Sequence, residues 1–391
     1  MDLQFTPEQE AFRAEIRAWL AENLERTWTE ETRDPAHDAD SLVELRRAWQ
    51  RKLHEAGYIG MGWPEEWGGR GAGEVEQAIL EAELYAHDAP LIPNFLGISL
   101  LGPALIHHGT EEQRRRFIPK MLSCDEIWCQ GFSEPGSGSD LASLRMRAER
   151  DGDDWRIYGQ KVWTTFGPWA DWIFVLARTD PDDRYGGISF FLVPLDQPGV
   201  EMRPLKQITG ESEFGEVFLD GAVAKSEHLV GALGEGWKIA MTVLGYERGA
   251  AALRYPAEFG RQIECLTSVV AERGGLDSDD VREKLGRLVV ENEVMQANGL
   301  RTLANLEAGL PPGPESSIEK IFWSEFHQRL TDVALDLLGP QGQLATGAPQ
   351  ALAGVDWAYQ YLWSRAGTIY SGTSEIQRNI IAKRALRMPT S

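Results

Sequence analysis

The sequence predicts an α+β protein of several domains: a helical N-terminal domain, a middle β-barrel or β-sandwich domain, and a helical-bundle C-terminal domain. Stretches with a helical period fill the beginning and the end of the chain, while short apolar runs between turn residues fill its middle. Strands do not alternate with helices, which argues against a Rossmann fold. We place the domain boundaries at residues 1–126, 127–232 and 233–391.

Capping signals mark the helices of the N-terminal domain. Thr6 and Gln9 have the spacing of a capping box, and an amphipathic stripe follows them. Ser41 and Glu44 repeat that spacing before a second stripe, which Gly57 is expected to end. Helical periods cover two more stretches, residues 74–86 and 96–123.

The pattern changes after about residue 127. Runs such as "DWIFVLARTD", "GISFFLVPL" and "GEVFLDGAV" are short, apolar and separated by Gly, Pro and Asp, as is typical of strands. These runs end near residue 230. A helical period returns in "EGWKIAMTVLGYERGAAALR" and continues to the end, with breaks at "ERGGLDSDD" and "LPPGPESS".

The composition argues against several classes of protein. Of the 391 residues, 42% are hydrophobic and 25% are charged, which is ordinary for a globular chain with a sizeable core. The net charge of −21 argues against binding nucleic acid or an anionic membrane, because no basic excess is available to neutralise phosphates. We expect no membrane span and no secretory leader. The three cysteines lack metal-ligand spacing, which predicts no metal site and a reducing cytoplasm.

The densest candidate for chemistry is the loop "GFSEPGSGSD" at the start of the β domain. Gly136 and Gly138 permit a close approach of the backbone to a ligand, and the serines offer hydrogen-bond donors. A serine-hydrolase elbow is excluded, because Pro135 replaces the second glycine of the G-x-S-x-G pattern. The alternative is a purely structural loop.

A second candidate is "GQKVWTTFG" in the β domain. Trp163 and Thr165 share one face if this stretch is a strand, so a planar ring would stand beside a hydroxyl group. That pair suits a flat heterocycle. The alternative is an ordinary core tryptophan, since the chain has 14 of them.

A third candidate is "YSGTSEIQRN" near the C-terminus. Gly372 supplies a turn, and Thr373 or Ser374 can cap the helix that follows. The free N–H groups at a helix start suit a phosphate. The alternative is a plain capped helix.

Together, the three stretches and the order of helices and strands resemble the acyl-CoA dehydrogenase family. The resemblance covers essentially the whole chain, from "TPEQEAFRAEIRAWL" to "IIAKRAL". It implies bound FAD and the oxidation of an acyl-CoA thioester to its trans-2-enoyl form, as in fatty acid or steroid catabolism. It also implies an electron-transfer flavoprotein as acceptor and a tetramer, either a homotetramer or a heterotetramer with a homologous subunit.

The resemblance also assigns roles to individual residues. By its matching motifs, it implies that Gln130, Phe132 and Ser133 lie along the flavin ring and its polar edge. It also implies that Trp163 and Thr165 flank the flavin. By the same motifs, Gly138 and Ser139 would meet the FAD phosphates and the thioester arm, and Thr373 and Glu375 would reach the FAD phosphate region. Arg273 matches an arginine that pairs with the pyrophosphate, and Gln341 lies in "LLGPQGQL", where the family usually has a glycine-rich turn. Leu276 and Asp336 depart from the family pattern, which puts the contacts to the adenine end in question.

The catalytic base is the main departure from the family pattern. Many members carry a glutamate at the position of Ser371, and a serine hydroxyl has no useful basicity near neutral pH. A few members keep the base in a Glu-Arg pair on an earlier helix, which Glu247 and Arg248 match. The resemblance therefore implies that Glu247 removes the α-proton, that Arg248 supports it, and that the Ser371 backbone N–H donates to the thioester carbonyl. A local salt bridge is the alternative for this pair.

The small Ser371 and the small residues of "GAAAL" favour a branched or bulky, even polycyclic, acyl group. Three other interpretations stay open. The chain could be a supporting subunit of a heteromer, a related flavin oxidase or monooxygenase, or an enzyme whose acyl thioester is carried on a protein instead of CoA.

Overall fold

The computed structural model describes residues 4–34, 36–246, 250–310, 313–345, 347–352 and 354–389. Helices, strands and helices follow one another in the predicted order. The N-terminal helices are α1 (Pro7–Asn23), α2 (Trp28–Arg33), α3 (Ala39–Glu55), α4 (Glu74–Ala86), α5 (Gly102–His108) and α6 (Glu111–Leu122). The strands are β1 (Trp128–Gly131), β2 (Arg147–Asp151), β3 (Asp154–Thr165), β4 (Trp172–Arg178), β5 (Ile188–Pro194), β6 (Val200–Leu205), β7 (Phe214–Ala224) and β8 (Leu229–Val230). The C-terminal helices are α7 (Gly236–Tyr246), α8 (Arg254–Glu272), α9 (Asp279–Glu307), α10 (Glu315–Leu338), α11 (Trp357–Gly367) and α12 (Ser374–Ile380).

The first helix begins at the predicted capping box. The Thr6 hydroxyl accepts a hydrogen bond from the Gln9 backbone N–H at 3.2 Å, and the Gln9 side chain accepts one from the Thr6 N–H at 3.0 Å. The second stripe ends as predicted, because Gly57 has a φ of 71° and cannot continue α3.

The predicted box at Ser41 and Glu44 was wrong. Helix α3 begins three positions earlier than that box requires, at Ala39. Asp38 accepts a hydrogen bond from the Ser41 N–H at 2.9 Å, and the Ser41 hydroxyl accepts one from the Asp38 N–H at 2.8 Å. An aspartate caps a helix at least as well as a serine, so the earlier residue starts the helix.

The strands form one open sheet in the order β6-β7-β3-β2-β4-β5-β8, with β1 added parallel to β4. The predicted barrel was wrong, because among the described strands β6 pairs only with β7, and β8 pairs only with β5. Strand β8 has two residues, which both pair with β5, so it is too short to close the sheet. The sheet core includes Ile157, Val175, Phe191 and Val217, each fully buried.

The described residues divide into two compact units. One comprises residues within 1–42, 73–90 and 248–391, and the other comprises residues within 43–72 and 91–247. In the first unit, α8 and α10 pack a core around Phe259, Leu266, Phe326 and Leu330. The second unit contains the sheet.

None of the described helices has both the length and the apolarity that are needed to cross a membrane.

Candidate active site

Strand β1 presents an unused polar group at its C-terminal end. The Gln130 side chain is half-buried, and its Nε2 is buried without a hydrogen-bond partner among the described residues. Buried amide donors are normally paired, because leaving one unpaired costs about 1–3 kcal/mol. The arrangement therefore suits a ligand that accepts a hydrogen bond at this position.

A buried ion pair anchors the loop that follows β1. Lys161 is fully buried, and its Nζ donates to the Phe132 carbonyl at 3.0 Å and to the Glu134 carboxylate at 2.9 Å. Glu134 also accepts hydrogen bonds from the backbone N–H groups of Arg145, at 2.7 Å, and of Met146, at 2.8 Å. Burial lowers the pKa of Lys161 to about 8, although Glu134 opposes this effect. The ion pair thus fixes the loop from its buried side.

The outer part of the same loop faces open space. A Cβ atom built at Gly136 or Gly138 would meet no atom within 4 Å, so either solvent or a ligand can lie against the backbone there. Ser139 is exposed, and the next residue, Asp140, pairs with Arg184 at 2.6 Å. Ser133 is half-buried, and its carbonyl accepts a hydrogen bond from the Val162 N–H at 3.0 Å.

Trp163 is held in a strained and exposed position. It lies at an irregularity in the register between β3 and β7, and its φ of 61° is in the left-handed region. A bulky residue in that region costs about 1–2 kcal/mol. Its ring is nevertheless 60% exposed and touches Phe214 edge to face, with centroids 6.0 Å apart. Strain that holds an aromatic ring in solvent is typical of a ligand-binding site.

Thr165 is half-buried at the end of β3, and Thr164 before it is buried. Trp163 and Thr165 are therefore both less buried than the residue between them. Phe132 lies differently from a ring that stacks on a flavin. Its side chain is 5% exposed and packs edge to face against Phe174 and Phe190, so only its backbone is available to a ligand.

In the other unit, a tight turn follows α11. Ser371 has a φ of 49° and Gly372 a φ of 85°, so two successive residues are left-handed. The Gln377 side chain donates to the Ser371 carbonyl at 3.1 Å, which closes the turn. Among the described residues, no group accepts a hydrogen bond from the Ser371 N–H. That donor is available to a ligand.

Thr373 caps α12, as the sequence predicts for one of two neighbouring residues. Its hydroxyl accepts a hydrogen bond from the Ile376 N–H at 3.2 Å. Ser374 is instead buried, and its Oγ has no partner among the described residues. Glu375 lies in the first turn, where hydrogen bonds from its own backbone and from Thr373 lower its pKa.

Arg273 and Gln341, both assigned to the cofactor, are bonded to each other. The Arg273 guanidinium donates to the Gln341 side-chain oxygen and to the Leu338 carbonyl. The Gln341 amide donates to the Gln350 carbonyl at 2.8 Å. The guanidinium is thus oriented by the turn after α10.

Glu247 and Arg248, the proposed base and its support, lie outside the residues that the structure describes.

Two buried lysines were missed by the sequence interpretation. Lys161 occupies the same face of β3 as the buried Trp155 and Ile157, and a charge on an apolar face was the available signal. Lys320, on α10, donates to the Gly367 carbonyl at 2.6 Å and so supports the end of α11. Burial lowers its pKa to about 8.

Family models match three consecutive parts of the chain. The model described as acyl-CoA dehydrogenase, N-terminal domain, matches residues 6–125. The models for the middle domain and the C-terminal domain match residues 129–222 and 234–386.

Individual proteins resemble the chain over its full length. The acyl-CoA dehydrogenase IpdE1 of Mycobacterium tuberculosis is 42% identical to it, over 97% of this chain and 98% of the relative. The crystal structure of the ChsE4-ChsE5 complex from M. tuberculosis contains a chain that is 29% identical, with a TM-score of 0.89 and full coverage of both chains. The structure titled Tcur3481-Tcur3483 steroid ACAD is also 29% identical, with a TM-score of 0.88 and full coverage of both chains.

Proposed function

We propose that this chain, which belongs to the acyl-CoA dehydrogenase family of oxidoreductases, converts an acyl-CoA thioester to the trans-2-enoyl-CoA with bound FAD. Members of this family are FAD-dependent in general. The observation that carries the proposal for this chain is the buried, unpartnered amide of Gln130 on the strand that leads into the glycine- and serine-rich loop. An isoalloxazine ring offers acceptors for such a donor along its polar edge.

The residues present fit a flavin dinucleotide. Its ring would meet the Gln130 amide, the backbone at Phe132 and Ser133, the Trp163 ring and the Thr165 hydroxyl. In the unit that contains the sheet, its phosphates would meet Gly138 and Ser139. In the other unit, Thr373 and Glu375 are the residues proposed for the FAD phosphate region, and Arg273, oriented by Gln341, is the residue proposed for the pyrophosphate. When bound, FAD supplies the acceptor for the β-hydride at its N5 position.

Glu247 removes the α-proton in this proposal. Burial against apolar groups raises the pKa of a carboxylate and strengthens it as a base. Arg248 holds Glu247 or stabilises negative charge nearby. The unpaired Ser371 N–H donates to the thioester carbonyl, which acidifies the α-carbon because a fixed donor is effective in a dry site.

A branched or ring-bearing acyl group is the proposed substrate class. Ser371 leaves volume that a glutamate would fill, and a solved structure of the same fold is titled as a steroid ACAD. Ser371 also lies in a turn with an exposed side chain. Efficient turnover of straight-chain acyl-CoAs with poor turnover of every branched or ring-bearing one would contradict this assignment.

A tetramer with an electron-transfer flavoprotein as electron acceptor completes the proposal. A heterotetramer is favoured by the ChsE4-ChsE5 complex, in which two kinds of chain are named together. In a heteromer, this chain could be the supporting subunit that does not carry the base. The domain boundaries at 126/127 and 232/233 and a cytoplasmic location remain predictions.

An anaerobic titration tests the proposed function. The purified protein should show a flavin spectrum, and a panel of saturated acyl-CoAs should bleach it without any partner subunit. Bleaching only after a homologous subunit is added would make this chain the supporting one. Rapid oxygen consumption without an added acceptor would favour an oxidase or monooxygenase. Bleaching by an acyl thioester on a carrier protein, but by none of the acyl-CoAs, would show that the substrate is carried on a protein instead of CoA.

A further inference from the structure

A cluster of charged and phenolic side chains joins α4 to α8 within one compact unit. We call it the Arg254 cluster, and its members are Glu81, Tyr85, Arg254, Tyr255 and Glu258. The Arg254 guanidinium carbon lies 4.2 Å from the centroid of the Tyr85 ring and 5.3 Å from that of the Tyr255 ring. None of these residues has a role in the proposed reaction so far.

Arg254 holds a donor that the protein does not use. Its Nε is buried, and among the described residues no group accepts a hydrogen bond from it. The two aromatic rings face the guanidinium charge, but an N–H group points along the guanidinium plane and needs an acceptor of its own. A buried donor without a partner is unfavourable, so a ligand that supplies an acceptor there would gain binding free energy.

The charges around Arg254 decide what kind of acceptor fits. Burial raises the pKa of the Glu81 and Glu258 carboxyl groups, and the positive charge of Arg254 opposes this effect in both. No ion pair joins Arg254 to either carboxylate in the described part of the chain. A neutral oxygen can accept a hydrogen bond from Arg254 whether these carboxyl groups are ionised or protonated, whereas an anion would be repelled by each of them that is ionised.

The cluster is connected to the Ser371 turn. Tyr255 stacks on Trp323 with ring centroids 4.0 Å apart, and the Trp323 ring lies 6.0 Å from the Tyr370 ring. Burial and, to a smaller extent, the neighbouring Tyr255 raise the pKa of Tyr370, so the two side chains also interact electrostatically. Tyr370 directly precedes Ser371, so the cluster lies a few side chains from the proposed position of the thioester.

We infer that the Arg254 cluster binds a neutral oxygen substituent, a ketone or a hydroxyl group, on the acyl group at a distance from the thioester. The inference rests on the proposed function, because it places the acyl thioester beside Ser371. A ketone oxygen accepts a hydrogen bond from Arg254. A hydroxyl oxygen does the same and can also donate to the Glu81 or Glu258 carboxylate.

Substrates that differ only in one oxygen test this inference. The FAD-loaded enzyme is assayed with cyclohexylpropanoyl-CoA and with its ring-ketone and ring-alcohol derivatives, one for each ring position. We expect kcat/KM for the best oxygenated substrate to exceed that of the unsubstituted one by about 100-fold or more, because an unsubstituted ring leaves the donor unpaired. Arg254→Met should remove that advantage by lowering only the value for the oxygenated substrate.

Two further variants make the test specific. Arg254→Lys keeps a cationic donor and should retain part of the preference. Arg329→Met on α10 is the control, because the Arg329 guanidinium already donates to the Glu291 carboxylate through Nε at 3.0 Å and through a terminal N–H group at 2.7 Å. It should change kcat/KM for both substrates by the same factor. Circular dichroism checks the folding of each variant, and the wild-type preference and Arg254→Lys decide the matter if Arg254→Met does not fold.

Equal turnover of oxygenated and unsubstituted substrates by the wild-type enzyme would overturn the inference. So would a clear preference for a carboxylate-bearing acyl group, because the inferred ligand is neutral. In both cases the flavin is still reduced, and the proposed function stands. Absence of flavin reduction by every acyl-CoA would instead refute the proposed function, and the inference with it.

Discussion

Lys161 is expected to contribute strongly to the stability of the unit that contains the sheet. Removing the cation by Lys161→Met leaves the Glu134 carboxylate buried without its partner and the Phe132 carbonyl without its donor. Breaking a buried pair by removing one partner costs about 3–5 kcal/mol. We expect that loss in the free energy of unfolding, measured by urea denaturation, together with weaker retention of FAD.

Two controls accompany this variant. Lys225→Met removes an exposed lysine and should change the free energy of unfolding by less than about 0.5 kcal/mol. The double variant Lys161→Met/Glu134→Gln should recover part of the loss, because it removes the unpaired buried charge and the glutamine oxygen can still accept from one of the Arg145 and Met146 N–H groups. A single variant as stable as Lys225→Met would show that the ion pair does not anchor the loop.

Residue-level prediction from the sequence succeeded for short-range features. Thr6 and Thr373 cap their helices through partners three residues away, which a sequence shows directly. The left-handed φ of Trp163 depends on the register between β3 and β7, and the burial of Lys161 depends on strands that pack around it. These properties arise from tertiary contacts, so spacing along the chain does not reveal them.

At the scale of single elements, the start of α12 can be tested through its cap. Thr373→Ala removes the hydroxyl that accepts from the Ile376 N–H. The loss of such a cap costs about 1 kcal/mol. We expect a lower free energy of unfolding by about that amount and a lower affinity for FAD, measured by fluorescence titration of the apoprotein.

Thr373→Ser is the conservative control, because its hydroxyl can cap the same N–H group. Both quantities should return to near the wild-type values in this variant. If Thr373→Ala bound FAD as tightly as Thr373→Ser, the start of α12 would have no role in the cofactor site.

The segment that leads into β7 gives a pH-dependent prediction. Burial, together with the charge of Glu211, raises the pKa of Glu213 from 4.5 to about 7. The Glu213 side chain accepts a hydrogen bond from Gln207 at 2.5 Å, and its backbone carbonyl accepts one from the Phe166 N–H at 2.8 Å. A carboxyl group whose pKa is raised by folding contributes stability below its unfolded pKa, and that contribution is lost as the pH rises through the folded pKa.

Glu213→Gln should therefore become more stable relative to the wild-type protein as the pH rises from about 4.5 to about 7. The relative gain is at most about 3.5 kcal/mol, because each pH unit between the two pKa values is worth about 1.4 kcal/mol. Urea denaturation at several pH values measures it. The exposed Glu66→Gln variant should show no such trend, and a flat difference for Glu213→Gln would contradict the raised pKa.

Element boundaries were also only partly accessible from sequence. The strand-rich region was correctly expected to start after residue 127 and to end near residue 230, because periodicity and turn residues are local. The start of α3 was missed because Asp38 and Ser41 form a box that competes with the predicted one. Of the two forms expected for the middle domain, a barrel or a sandwich, the barrel was wrong, because strand order and the length of the edge strand β8 do not follow from a period of two.

For the whole molecule, the sequence was sufficient for the order of helices, sheet and helices, and for the family. It could not bring together side chains that are distant along the chain. Glu81 and Tyr85 on α4 meet Arg254 on α8 only in the folded unit, so the Arg254 cluster was not foreseen.

The mechanism depends on Glu247 as the base, since Ser371 cannot act as one. The most direct measurement is the anaerobic rate of flavin bleaching after mixing with the best acyl-CoA substrate. Glu247→Gln should slow that rate by about 10²–10⁴-fold, the usual contribution of a general base. The exposed Glu264→Gln variant should bleach at the wild-type rate, and Glu247→Gln/Ser371→Glu should recover part of the loss. Bleaching of the Glu247→Gln enzyme at the wild-type rate would contradict the assignment of the base.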